Sequence, residues 1–211
     1  ANFWSMKVFK DVTVIKGTSV VLPCTFTHPD AVYSRRITAI WRIRGFDGQE
    51  IFCCTVEGTS ADCIVSKNEK SRYRLVGDLR QNNLSLQIDN VRYEDSEKYF
   101  CRVELNKKAG GFFQTIDGTA LHVIAPPTIL NLTAIHGTAE FSLLCLVEGK
   151  PLPTITWIGP GNRKIHLTNN TGMDSNNSLQ YQIEGKIQNV MEGEIYICKA
   201  DNKYGTAEQN I

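Results

Sequence analysis

Arg102 is the residue best placed to bind a charged ligand, because it follows a cysteine within the segment Tyr99–Glu104. A strand alternates its side chains between two faces, so a buried Cys101 would direct Arg102 toward solvent. A guanidinium on a rigid strand offers a planar set of donors that matches a carboxylate. The segment therefore predicts either a site for an acidic ligand or an ordinary solvated arginine, and taken alone it favours the second.

The other residues with chemical potential show no catalytic or metal-binding pattern. The four histidines are scattered, and motifs typical of serine hydrolases, zinc proteases, P-loop proteins and dinucleotide-binding proteins are missing from the sequence. Seven cysteines without a C-x-x-C pair favour disulfide bonds over zinc, and hence an oxidising compartment. We therefore expect a binding protein, not an enzyme, that uses no cofactor and no metal.

The composition indicates an extracellular protein that does not bind nucleic acid. Lys and Arg number 23 against 22 Asp and Glu, without a long run of either sign. The sequence contains no signal peptide, and no apolar run approaches the ~20 residues that span a bilayer. We expect the mature extracellular part of a single-pass plasma membrane protein. Four N-x-S/T glycosylation signals fit secretion, and they begin at Asn83, Asn131, Asn169 and Asn176.

A pattern of cysteine, tryptophan and tyrosine predicts the fold of the first half. Cys24 lies in an alternating apolar run, Trp41 follows it, and Tyr99 stands two residues before Cys101. This pattern is typical of an immunoglobulin sandwich, in which a disulfide joins two sheets beside a buried tryptophan. The interval from Trp41 to Cys101 has room for two extra strands, which predicts the variable (V-set) type.

The second half repeats the pattern in a shorter form, with Cys145, Trp157 and Tyr196-x-Cys198. The shorter interval predicts a C2-set or I-set domain. The predicted fold class is therefore all-β, with two immunoglobulin-like β-sandwich domains in tandem. We expect a V-set domain over residues 1–124, a linker with two prolines over 125–127 and a C2/I-set domain over 128–211.

The sequence leaves two pairings open. Asp95 should form a structural ion pair beneath the first sandwich, and either Arg72 or Arg74 is a suitable partner. After the core cysteines are assigned, Cys53, Cys54 and Cys63 remain. Either Cys53 or Cys54 could bond to Cys63 across the same hairpin. Three is an odd number, so one of these cysteines keeps a free thiol.

With these elements in place, the chain resembles the Siglecs, the sialic-acid-binding immunoglobulin-like lectins. The matching stretches are Trp4–Met6, Leu22–Pro29 and Asp95–Glu104, so the resemblance covers the first domain, whereas the second matches as a generic immunoglobulin domain. The resemblance implies a cell-surface receptor for sialylated glycans on glycoproteins or glycolipids. It also implies a signalling adaptor reached through a transmembrane segment.

The resemblance assigns roles to individual residues. In the family an arginine on strand F binds the sialic acid carboxylate, and Arg102 stands at that position. Family members also pack aromatic side chains from strands A and G on the apolar groups of the sugar. Trp4 occupies the strand A position, and either Phe112 or Phe113 occupies that of strand G, with Phe113 favoured by spacing.

The cysteines depart from the common family arrangement, which has a bond within one sheet and another between the domains. Here the predicted strand E contains no cysteine, and Ser19 stands where the bridging cysteine is expected. A divergent branch of the family shares this departure and has a second pair spaced like Cys54 and Cys63. That likeness implies a Cys54–Cys63 bond and leaves Cys53 unpaired, beside the core bonds Cys24–Cys101 and Cys145–Cys198.

Two other functions remain open for the same sheet face. A co-stimulatory receptor would bind a protein partner there, and it would tolerate both sialidase treatment of that partner and loss of Arg102. A homophilic adhesion protein would bind a second copy of itself, with Cys53 available for a disulfide between copies. The strand F arginine together with Trp4 favours the lectin.

Overall fold

The computed structural model describes residues 3–29, 33, 35–105, 111–138, 140–165, 171–172 and 181–211, and within these it consists of strands and three short 3-10 helices. The chain divides into two units, Ala1–Val123 and Ile124–Ile211. Within the described ranges, no helix has the length and apolar character needed to cross a membrane. The predicted all-β fold class is confirmed.

The first unit is a sandwich with β10 in the middle of its larger sheet. Hydrogen bonds join β10 to β5 on one side and to β11 and the start of β12 on the other, and β6 and β7 extend the sheet beyond β5. In the opposite layer β9 lies between β3 and β8, and β1 pairs with β4. The strands are β1 Ser5–Val8, β2 Asp11–Ile15, β3 Val20–Leu22, β4 Cys24–Thr27, β5 Ile37–Ile43, β6 Gln49–Val56, β7 Ile64–Asn68, β8 Tyr73–Leu75, β9 Leu86–Ile88, β10 Lys98–Leu105, β11 Phe112–Gln114 and β12 Thr119–His136, with 3-10 helices at Leu79–Gln81 and Tyr93–Asp95.

The predicted disulfide between the two layers is confirmed. Cys24 and Cys101 are bonded and fully buried, and Trp41 is buried beside them with its indole N–H donating to the Leu84 carbonyl at 3.0 Å. The Tyr99 hydroxyl donates to the Asp95 carbonyl at 2.7 Å, which is the tyrosine corner expected from the sequence. These contacts bury the centre of β10, and they fix which of its side chains face the core.

A buried ion pair lies in the same sandwich, next to the 3-10 helix that precedes β10. The Asp95 side chain is fully buried, and its two oxygens accept hydrogen bonds from the Arg72 guanidinium, each at 2.9 Å. Burial alone would raise the pKa of the Asp95 carboxyl, but the bonds from Arg72 and from the Arg92 backbone amide hold that pKa below its ordinary value. Arg74, the other candidate, pairs with Asp89 at 3.3 Å.

The second disulfide of the first unit joins Cys54 and Cys63, as the resemblance implied, and Cys53 is a free, partly exposed cysteine. The Cys54 side chain is fully buried beneath the sheet. Cys53 precedes it on β6 and therefore faces the other side. The bond ties the end of β6 to the chain just before β7, the outermost strand described in this sheet.

The second unit is a smaller sandwich held by the predicted Cys145–Cys198 bond, with Trp157 fully buried beside it. The Met191 backbone N–H donates to the Tyr196 hydroxyl at 2.9 Å, so this tyrosine accepts a backbone hydrogen bond instead of donating one. The later part of β12 pairs with β13. The remaining strands are β13 Phe141–Lys150, β14 Thr154–Gly159, β15 Arg163–Ile165, β16 Thr171–Gly172, β17 Gln182–Gln188, β18 Ile197–Asn202 and β19 Gly205–Asn210, with a 3-10 helix at Pro160–Asn162.

We expect Asp95→Asn to lower the free energy of unfolding by about 3 kcal/mol at neutral pH, because it leaves the Arg72 guanidinium without its counter-ion. A folded-state pKa below the ordinary value of about 3.9 contributes stability above that pH, and the contribution is lost as the pH falls below it. The difference between wild type and variant should therefore narrow below about pH 4. Thermal melting of both proteins over a pH series measures it.

Asp89→Asn is the matched control, because the Asp89 side chain is 38% exposed, against 0% for Asp95, and pairs with the exposed Arg74. An exposed ion pair contributes little, so this variant should lose less stability than Asp95→Asn. Equal losses for the two variants would contradict the role assigned to Asp95.

Candidate functional site

Strand register determines which side chains share the outer face of the larger sheet. Directly opposite residues of antiparallel strands point to the same side. Cys101 faces the core, so Arg102 faces outward, and the register places Gln114, Ile40 and Cys53 in one row with it. This row crosses β11, β10, β5 and β6 in that order.

The Arg102 guanidinium is held from three sides. Its Nε donates to the Glu104 carboxylate at 2.8 Å, and its Nη1 donates to the Gln114 side-chain oxygen at 3.4 Å. The central carbon lies 4.0 Å from the centroid of the Phe112 ring, which is close enough for a cation–π contact. The Arg102 side chain is 15% exposed, so its stem is packed against the sheet.

Gln114 links Arg102 to the turn between β5 and β6. It is buried, its side-chain N–H donates to the Phe46 carbonyl at 2.6 Å, and its oxygen also accepts from Arg42 at 3.4 Å. Gln114 and Glu104 are site residues that the sequence motifs do not predict. The position of Gln114 follows from the register of β10 with β11, which residue types alone do not show. Glu104 stands two residues after Arg102 on β10, so strand alternation is the signal that could have placed it on the same face.

Phe112 and Phe113 lie on opposite sides of β11. Phe112 is opposite Glu104 on the outer face and is 47% exposed, whereas Phe113 is opposite the fully buried Val103 and packs against the core. The sequence spacing favoured Phe113 as the strand G aromatic. The structure brings Phe112 to Arg102.

Trp4 lies with Phe113. Their rings are stacked, with centroids 6.0 Å apart and planes within 10° of parallel. Both side chains line a cleft of about 880 Å³ between β1 and the chain that follows β11, together with the buried Thr115. Arg102 is not among the residues that line this cleft. The two groups of predicted site residues are therefore separated by strand β11.

Cys53 lies in the row of Arg102 as a thiol of low reactivity. Burial raises the pKa of this thiol, and the hydrogen bond with Ser66 only partly opposes that effect. A thiol rather than a thiolate at neutral pH is a poor nucleophile.

The glycosylation signals differ in their surroundings. Asn131 is exposed in β12, and so is Thr133, the third residue of its signal. Asn83 is half-buried and accepts a hydrogen bond from the Ser85 backbone, while the hydroxyl of Ser85 is itself bonded to the Cys24 backbone. The signals at Asn169 and Asn176 lie outside the described residues.

Comparison with known families agrees with this architecture. The first domain matches the Immunoglobulin V-set domain family over residues 8–124. This chain belongs to the immunoglobulin V-set family. Residues 128–211 match the Immunoglobulin I-set domain, so the second sandwich is of the I-set type.

The resemblance to the Siglecs is also confirmed. This V-set protein is 32% identical to human sialic acid-binding Ig-like lectin 15, over 100% of this chain and 64% of that protein. It is 31% identical to human sialic acid-binding Ig-like lectin 5, over 74% of this chain and 29% of that protein. Bovine immunoglobulin superfamily member 11 is 28% identical over 93% of this chain and 44% of that protein. The chain thus spans less than two thirds of each of these relatives.

We expect the Trp4 and Phe113 rings to stabilise the V-set domain as a pair. In a double-mutant cycle, Trp4→Ala and Phe113→Ala should show a coupling energy of about 1 kcal/mol, because stacked rings contribute beyond their buried area. The measurement is the unfolding free energy of wild type, both single variants and the double variant.

A second cycle, of Trp4→Ala with Phe112→Ala, is the control. Phe112 is exposed on the other side of β11, so its coupling with Trp4 should not exceed about 0.5 kcal/mol. A larger coupling to Phe112 than to Phe113 would contradict the separation of the two groups.

Proposed function

We propose that the V-set domain binds terminal sialic acid on glycans and that Arg102 pairs with the sugar's carboxylate. The observation that carries this proposal is the arginine on the outer face of β10, oriented by Glu104, Gln114 and Phe112. An oriented guanidinium loses little side-chain freedom when a ligand binds. The names of two of the relatives, sialic acid-binding Ig-like lectins 15 and 5, support the choice of ligand.

The guanidinium geometry suits an end-on carboxylate. The Nε position is bonded to Glu104, so a ligand carboxylate would be held through Nη1 and Nη2. Glu104 orients the arginine, but its negative charge also repels an anionic ligand. We therefore expect weak binding to one site, on the order of 0.1–1 mM, or about −4 to −5.5 kcal/mol.

Phe112 is the aromatic residue that we propose for contact with the apolar groups of the sugar. Its ring is exposed and lies against the guanidinium that would bind the carboxylate. An aromatic face beside a cation covers small apolar groups while the charge sets orientation. The resemblance also placed Trp4 and Phe113 at the sugar, but both rings pack against the core, on the side of β11 opposite to Phe112. We propose that they position this strand.

Weak binding at one site suits a cell-surface receptor. Many receptors that meet many glycans gain affinity by avidity, by a factor of about 10² to 10⁴. We propose that the chain is the extracellular portion of such a receptor and that its partners are sialylated glycoproteins or glycolipids. The disulfide-bonded fold and the exposed glycosylation signal at Asn131 are consistent with an extracellular location.

The proposal is tested by saturation-transfer NMR of the 211-residue chain with α2-3- and α2-6-sialyllactose. The wild type should transfer saturation to the sialic acid protons. Arg102→Ala should abolish the effect, and Arg102→Lys should retain little of it, because an ammonium cannot reproduce the planar pair of donors.

Arg44→Ala is the matched control, because Arg44 is an exposed arginine of the same domain and pairs with Glu97 rather than with a site residue. This variant should bind like the wild type. Wild-type binding by Arg102→Ala, with an unchanged melting curve, would rule out the carboxylate pairing.

A protein partner is the second candidate for the same face. Phe112 and Phe46 are 47% and 45% exposed, and such aromatic side chains are common at protein interfaces. The similarity to immunoglobulin superfamily member 11, a relative without a glycan in its name, also leaves this function open. It predicts binding to cells that sialidase treatment and Arg102→Ala both leave unchanged.

A further inference from the structure

A depression of about 440 Å³ lies on the same outer face as Arg102, over strands β5, β6 and β7, and its lining combines polar side chains with the exposed Ile64. Its lining carries four hydroxyl groups, those of Thr38, Thr55, Ser60 and Ser66. Thr38 and Thr55 are opposite each other on neighbouring strands, and their hydroxyls are 3.0 Å apart in a hydrogen bond.

The depression adjoins the proposed sialic acid site. The register places Glu104, Thr38 and Thr55 in one row across β10, β5 and β6, next to the row of Arg102. Neighbouring strands are about 4.8 Å apart, so the backbone of Thr55 lies about 10 Å from that of Glu104. Glu104 itself is hydrogen-bonded to Arg102. A ligand held by Arg102 can therefore reach the depression with its next sugar unit.

The rim of the depression is held in place by contacts outside the β-ladder. Arg36, just before β5, and Glu57, just after β6, both line the depression and form an ion pair at 2.9 Å. The Arg80 guanidinium donates to the backbone carbonyls of Arg35, at 2.5 Å, and Gly58, at 2.6 Å, which are the residues next to Arg36 and Glu57 in the chain. The Cys54–Cys63 bond ties β6 to the loop that leads into β7. These contacts pre-form the depression, which lowers the cost of ordering it around a ligand.

The chemistry of the lining favours a neutral sugar over a charged one. Hydroxyls and carboxylates form hydrogen bonds with the hydroxyls of a sugar ring. The two acidic residues of the lining, Glu57 and Asp62, outnumber the one cation, Arg36, which is already paired with Glu57. A second anionic sugar would be repelled there.

We propose that the neutral sugar next to the terminal sialic acid binds in this depression, through the hydroxyls of Thr38 and Thr55. The inference rests on the proposed function, since Arg102 must hold the sialic acid for its neighbour to reach β5 and β6. It assigns the choice among underlying sugars to strands β5–β7, apart from the arginine that binds the charge.

The test compares a monosaccharide, methyl α-sialoside, with α2-3- and α2-6-sialyllactose on the 211-residue chain. The variant is the double substitution Thr38→Val and Thr55→Val, which removes both bonded hydroxyls together and keeps the side-chain shapes. Replacing both partners leaves neither unpaired, so the melting temperature should hardly change. Affinity for at least one sialyllactose should fall about three- to ten-fold, and affinity for the monosaccharide should not change.

Thr13→Val is the matched control, because Thr13 is an exposed strand threonine on β2, away from the depression. A second variant, Ser66→Trp, fills the depression from its edge strand and should reduce only sialyllactose binding. Equal affinity of the double variant and the wild type for both sialyllactoses would overturn the inference, and so would an equal loss for the monosaccharide. Failure of wild type to bind any of the three ligands would instead refute the proposed function.

Discussion

The bond between Cys24 and Cys101, packed against Trp41, is the constraint on which the proposed binding face depends. It fixes the inward side of β10 at Cys101, and strand alternation then directs Arg102 to the outer face. A slip of one residue in this strand would exchange the two faces and bury the guanidinium. The Tyr99 hydroxyl, bonded to the Asp95 carbonyl, holds the beginning of β10 against such a slip.

The surroundings of Arg102 balance orientation against ligand affinity. Glu104 and Gln114 orient the guanidinium, and its central carbon lies over the Phe112 ring, so little freedom is left to lose on binding. The same carboxylate lowers the net positive charge that an anionic sugar would meet. A site of this kind favours a defined ligand geometry over strong attraction, which suits a receptor that depends on many simultaneous contacts.

Much of the fold could be predicted because its signals are local. The cysteine, tryptophan and tyrosine spacings indicate an immunoglobulin sandwich before any contact is known, and the alternation beside Cys101 is enough to direct Arg102 outward. The pairings that the residues left open are of another kind. Arg72 and Arg74 are two residues apart and point to the same side, so position along the chain decides that pairing: Arg72, just before β8, lies beside Asp95, whereas Arg74, inside β8, pairs with Asp89. Cys53 and Cys54 are adjacent and face opposite sides of β6, so the side that faces Cys63 decides the disulfide.

The sequence by itself determined the two sandwiches and the core disulfides, because these depend on the spacing of cysteine, tryptophan and tyrosine along the chain. It also determined the outward position of Arg102, because that depends on alternation along one strand. Only the tertiary structure decided that Phe112, and not Phe113, contacts Arg102. It also placed Gln114 beside that arginine and the Thr38–Thr55 pair in the neighbouring row. The physical reason is that these contacts depend on the register between strands distant in sequence, and residue types along one strand do not encode that register.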